Sequence, residues 1–280
     1  MRLSEFRQPF AMQCGARHLR PALAAAVVAV AGLLVAVPAG GGEATDFSGH
    51  QRSEKIDFTD SQIVDGFFKT AFGAEYHLAG RVDRIRKYEA PVRVYAEGDG
   101  HAHRRAELAR IVADIAGRIQ HLDIAMTDNA DEANVTVHLV RDRNLRKTIA
   151  AFYGEERARE IHDSLDPQCL SGFRKNDRFE IERSDVILTV DNGDFVFRDC
   201  AYEELLQSLG PINDTDEVPW TMFNDDVQKG YFDVYDQYLL NILYHPAIRP
   251  GMTVPEVKAV LPQVLTDVRS YVARVNRLTR

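Results

Sequence analysis

The chain has 280 residues, 45% hydrophobic and 27% charged, with 34 basic and 42 acidic side chains and a net charge of −8. That length suits one globular domain with enough chain to bury a core. The acidic balance excludes general nucleic-acid binding, which needs a basic footprint.

At the N-terminal end, Arg2, Arg7, Arg17 and Arg20 precede an apolar run over residues 21–40. A positive flank, an apolar centre and then small residues is the pattern of an export signal. Ala39, with Val37 at minus three, is an acceptable cleavage point, so residues 1–39 are expected to be a signal peptide. Met12 is an alternative start with a shorter basic flank. The other reading is an uncleaved anchor through residues 22–37, only 16 residues against roughly 20 for a full span. Cys14 lies before the apolar run, which argues against a lipoprotein. Cleavage takes four Arg from 34 basic residues and one Glu from 42 acidic ones, leaving a net charge of −11. The expected location is periplasmic or secreted, with membrane contact only through the N-terminal segment if it is retained.

Two cysteines remain after cleavage, Cys169 and Cys200. An even pair in an exported chain reads as a disulfide. It would close a loop of about 30 residues and contribute about 3 kcal/mol. The rival reading is a metal-binding thiol at Cys200.

Residues 40–56 are Gly- and polar-rich and read as a flexible leader, with a single domain over 57–280. Thr59 or Asp60 can cap a helix running to Phe72, with Ile63, Val64, Phe67 and Phe68 on one apolar side. Gly73 ends it. The basic cluster at 81–87 and another at 141–147 read as solvated faces. Pro91 opens a strand, and the loop after it carries His101 and His103, which suit a metal only if that segment is extended. Residues 105–121 carry the clearest helical stripe, Leu108, Ile111, Val112, Ile115 and Ile119. Strands follow at 122–127 and 133–140, the second containing His138. A helical insertion spans 144–165, broken at Gly154 and ended by Pro167. Residues 179–198 read as a strand pair turning at Asn192 and Gly193, which supply positive φ. Residues 233–244 and 254–278 are helices, the last with Pro262 as a kink.

Residues 200–213, CAYEELLQSLGPIN, have the layout of a zinc-protease helix. In such a helix two ligands at i and i+4 grip one ion, and a Glu after the first activates bound water. A Gly turn then brings a third ligand to a tetrahedral site with one open position. Here the ligand positions hold Glu203, Gln207 and Asn213, the general-base position holds Glu204, and the turn holds Gly210. No His stands at any of the three. Glu203, Gln207 and Asn213 are poor zinc ligands, whereas an oxygen set with Glu203 and Asp214 would suit Ca²⁺ or Mg²⁺. The alternative is a plain buried helix on Tyr202, Leu205, Leu206 and Leu209, with Glu203, Glu204 and Gln207 on its wet side.

This stretch resembles the metzincin proteases, matrixins in particular. Met222 falls where their Met-turn lies, and Asp236, Leu243 and Tyr244 match their last helix. Over most of the chain the sequence more closely resembles the bacterial exported family called domain of unknown function 2927. The motifs that carry this are FTDSQIVDGFFKTAFGAE, PVRVY, CAYEELLQSLG, FND and LLNILYHPAIRPGM, in that order. The resemblance implies an α/β (α+β) fold, a twisted mixed sheet with a zincin-like helix. It also implies an exported module that binds a peptide, a protein or an envelope component where a protease would hold substrate. The alternative function is a metal-dependent hydrolase with Glu204 as general base.

Overall fold

The computed structural model describes residues 11–13, 54–72, 83–98, 101–165, 168–211, 213–224 and 226–278. The rest of the expected signal and leader, including the apolar run at 22–37, and Gly73 lie outside the described residues, as does Pro167. Among the described residues, no helix is long and apolar enough to cross a membrane.

Alternation of buried and half-buried residues makes Val92–Glu97 a strand, β2, with Ile124–Met126 (β3) and Val135–Val140 (β4) parallel on either side. Ile181–Thr189 (β6) runs parallel to β4, and Cys169–Lys175 (β5) runs antiparallel to β6. Ala11–Gln13 (β1), inside the expected signal peptide, adds antiparallel to the outer edge of β5. The order is β1-β5-β6-β4-β2-β3. The fold is therefore mixed α/β, a largely parallel sheet with an antiparallel side. Parallel strands covered on both faces are buried on both, as β4 is from Val135 to Leu139 and β6 from Ser184 to Thr189.

Asp60–Ala71 (α1) starts at Thr59 with a full capping box against Gln62. Ala102–Arg118 (α2) buries Leu108, Ile111, Val112 and Ile115 on the sheet. Leu145–Tyr153 (α3) and Glu155–Leu165 (α4) cover the opposite face, where Leu145, Ile149, Ala158 and Ile161 meet Leu170 and Ile187. Gly154, at φ +87°, separates them. Asp194–Ser208 (α5), Val234–Tyr244 (α6) and Val254–Val275 (α7) complete the main core. The α7 stripe of Val257, Leu261, Val264, Leu265, Val268 and Val272 is buried there, with Pro262 inside the helix.

Three local expectations change. The long helix runs about a turn further N-terminal than its stripe predicts, so His101 is its N-cap and His103 lies in its first turn, not in an extended segment. Residues 191–194 are not a hairpin turn. Gly193, at φ +99°, leads β6 straight into α5, which takes in Phe195, Val196 and Phe197. Positive φ serves a helix entry as well as a turn. The strand pair instead joins β5 to β6 through residues 176–180, where Asn176 Oδ1 accepts from the Arg178 and Glu180 N–H groups. Third, residues 83–90 are not a solvated face. They thread the core as extended chain, with Arg86 and Lys87 buried. The Ile85 N–H donates to Met252 O and the Ile181 N–H to Lys87 O, both at 2.9 Å.

Candidate functional site

The helix α5 has almost no amphipathic character because it is buried all round from Asp199 to Ser208. It packs on β5, β6 and α2, and the Cys169–Cys200 disulfide ties it to the first residue of β5, Cα to Cα 5.9 Å. Glu203 is 2% exposed, Glu204 0% and Gln207 1%. They are not the wet side of the helix. The Tyr202 hydroxyl donates to Asp114 at 3.2 Å, and burial pushes its pKa well up.

Gln207 reaches in two directions. Its Oε1 accepts from Ser171 of β5 at 3.5 Å, and its Nε2 donates to Asp214 Oδ1 at 2.6 Å. Gly210 ends the segment at φ +139°. A Cβ there would lie 2.3 Å from the Arg86 carbonyl oxygen, so only glycine passes. Asn213 then turns away from the helix. Its side-chain amide donates to Lys69 O at 2.8 Å and its N–H to Thr70 O at 3.2 Å, closing the C-terminal end of α1. The structure therefore brings Gln207 together with Asp214, not with Asn213. The sequence signal for Asp214 is only its place next to the third ligand position.

Met222 is buried in the main core, and its N–H donates to Asp236 Oδ2 at 2.9 Å. Thr221 Oγ1 donates to the other oxygen at 2.5 Å. Asp236 is fully buried, and desolvation raises its pKa against the opposing pull of Lys229. Lys229 is paired with Asp233, donates to Trp220 O, and has its pKa lowered by burial. Asp199, also on α5, accepts from the Lys229 and Gly230 N–H groups. Glu54 accepts from the Val234 N–H at 2.6 Å, and burial raises its pKa. These groups hold the Met222 loop to α5 and α6.

Two residues gain a role that sequence reading missed. Arg86 has its guanidinium 5.9 Å from the Phe173 ring of β5 and donates to Ala71 O at 3.1 Å. Burial lowers its pKa to about 9. His138, read as an ordinary sheet residue, lies between Glu97 at 2.6 Å and Asp185 at 3.1 Å, with Phe152 of α3 against its ring. Among the described residues, no three His, Cys, Asp or Glu side chains gather as a metal-holding group.

A family profile described as "Protein of unknown function (DUF2927)" matches residues 60–263. The chain belongs to this family. The matched span takes in α1, every strand from β2 to β6, the whole of α5 and the Met222 loop. No curated protein and no solved structure matches.

Proposed function

We propose that this chain is an exported, non-catalytic module that captures an extended peptide segment of a protein or envelope component along β5, beside α5. The observation that carries this is β1. Ala11–Gln13 lies antiparallel against the outer edge of β5, in register Ala11 to Phe173, Met12 to Gly172 and Gln13 to Ser171. An edge that accepts one strand offers main-chain donors and acceptors to another. On this reading the signal peptide over residues 1–39, which contains β1, is removed on export and vacates the edge. The disulfide between Cys169 and Cys200 supports an oxidising compartment, periplasmic or secreted.

The zincin-like resemblance enters the same reading as a protease layout without its chemistry. Gln207 is engaged with Ser171 and Asp214, and Asn213 with α1. That commitment supports a binding role over a metal-dependent hydrolase with Glu204 as base.

The test uses the chain from residue 40 onward and a labelled peptide covering residues 7–17 with Cys14→Ser. Saturable binding, lost when alternate backbone amides of the peptide are N-methylated, is the expected result. Absence of binding, or metal-dependent proteolysis abolished by Glu204→Gln, would overturn the proposal.

A further inference from the structure

Away from α5, the sheet has a second place built for a ligand. The neighbouring parallel strands β2 and β4 send their chains to opposite faces. β2 leads into α2 on the main core, and β4 leads into α3 on the other face. In an open α/β sheet, a crevice opens at the carboxyl ends of strands that part in this way, and ligands bind there. Here the crevice measures about 480 Å³ and is lined by His101 from the β2 side and by Leu139, Val140, Arg141, Arg143 and Lys147 from the β4 side. That volume falls in the ordinary range of small-molecule sites.

The charge of this crevice sets it apart in an acidic protein. None of its lining residues is acidic. Other surface arginines lie beside carboxylates, Arg93 on Asp123, Arg118 on Asp114 and Arg269 on Asp60, while buried Arg86 and half-buried Arg105 donate to main-chain carbonyls. Arg141, Arg143 and Lys147 have no carboxylate partner among the described residues. Asp142, between Arg141 and Arg143 in sequence, and Asp191, beside it in space, are engaged with neutral donors. Asp191 accepts from the Asp142 N–H at 2.8 Å, and Asp142 accepts from the Asn192 amide at 3.1 Å. Three cations held around one crevice repel one another, and among the described residues none of them forms an ion pair that would offset this. The N-cap of α3, Asn144, lines the crevice and makes no side-chain capping bond, so the N-terminal end of that helix lies at the same region. Buried Leu139 supplies an apolar floor behind the cations.

We infer that this crevice binds a small molecule bearing a phosphate or comparable multiply charged oxyanion. The arginines and the lysine would hold its charged group, with Leu139 and Val140 against its organic part. Guanidinium forks match the tetrahedral oxyanion, and a lysine adds a point charge. The same phosphate chemistry occurs on a soluble ester and on a lipid headgroup. This site is separate from the β5 edge and does not depend on the peptide reading.

The experiment measures binding of inorganic pyrophosphate and of glycerol 3-phosphate to the full disulfide-bonded chain by calorimetry, at low and high salt. A parallel arm tests co-sedimentation with phosphatidylglycerol vesicles against phosphatidylcholine vesicles. The comparison proteins are Arg141→Gln/Arg143→Gln/Lys147→Gln and the single Arg143→Gln, with Arg93→Gln as the control that matches the single variant in charge elsewhere on the surface. Binding to the soluble anions, weakened about tenfold or more in the triple variant and unchanged in Arg93→Gln, is expected for a soluble ligand. Selective sedimentation with phosphatidylglycerol, lost in the triple variant, assigns the headgroup source. No binding in either arm, or equal binding by the triple variant and the wild type, overturns the inference. Arg143→Gln alone serves should the triple variant fail to fold.

Discussion

Along α5, Glu203, Glu204 and Gln207 are at most 2% exposed, and Gln207 is held between Ser171 and Asp214. At the end of β4, Arg141, Arg143 and Lys147 are exposed and have no carboxylate partner among the described residues. Both stretches are rich in polar side chains, yet packing has treated them oppositely. A desolvated polar group must find its partner inside the protein, and then it belongs to the fold. A solvated one contributes little to stability, so a cluster of like charges persists only where folding does not oppose it. The difference teaches that protease-like residues in the sequence can be the more structural set, and a plain basic run the more available one.

The comparison breaks most sharply at Gly210. Gly210→Ala would press a Cβ onto the Arg86 carbonyl at a φ that other residues rarely adopt. It is expected to cost about 3 kcal/mol or more, or to prevent folding. Urea unfolding measures it, and a variant as stable as wild type would mean that the α5 exit is not tight. Next in size is removal of the disulfide by Cys169→Ser with Cys200→Ser. It should cost about 3 kcal/mol for a loop of this length, read as a lower unfolding midpoint that reductant reproduces in the wild type.

Gln207→Leu removes the donor 2.6 Å from Asp214. A loss of about 1–3 kcal/mol is expected for a buried bond to a charged group. No loss would return Gln207 to a functional role. Glu54 sharpens the buried side of the comparison through pH. Its carboxyl is raised above 4.5 by burial, which outweighs the bond from Val234. The folded chain therefore binds this proton more tightly than the unfolded chain. Its stabilising effect is full below that ordinary value and fades as pH rises through the folded value. Glu54→Gln should remove this slope when unfolding midpoints are compared between about pH 4 and 7. The smallest effect belongs to the exposed crevice. Arg143→Gln should change stability by no more than about 0.5 kcal/mol, with any gain confined to low salt, because it relieves repulsion. A large loss in thermal unfolding would show that the cation is structural after all.

The helix through residues 200–208 and the glycine that ends it at Gly210 were legible because such signals are local. What was not legible was whether those residues face water, since the same Glu and Gln letters serve a wet face or a buried one. Asn213 illustrates this: its ligand spacing is intact, but its partners are carbonyls of α1, 144 residues away for Lys69. Arg86 is the converse. It lies in a basic run that reads as surface, and only the packing of Phe173 and the Gly210 turn around it makes it a core residue.

By itself the sequence determined the helices with strong stripes and caps, α1 and α7 above all, the Cys169–Cys200 pairing, and the family motifs. Each of these rests on residues a few positions apart or on the arithmetic of two cysteines. Only the tertiary structure decided that β1 lies on the edge of β5, that α5 is buried on every side from Asp199 onward, and that β2 and β4 part to leave a basic crevice. Those features depend on which distant segments become neighbours. Strand order and desolvation are set by the whole core at once, and no local pattern encodes them.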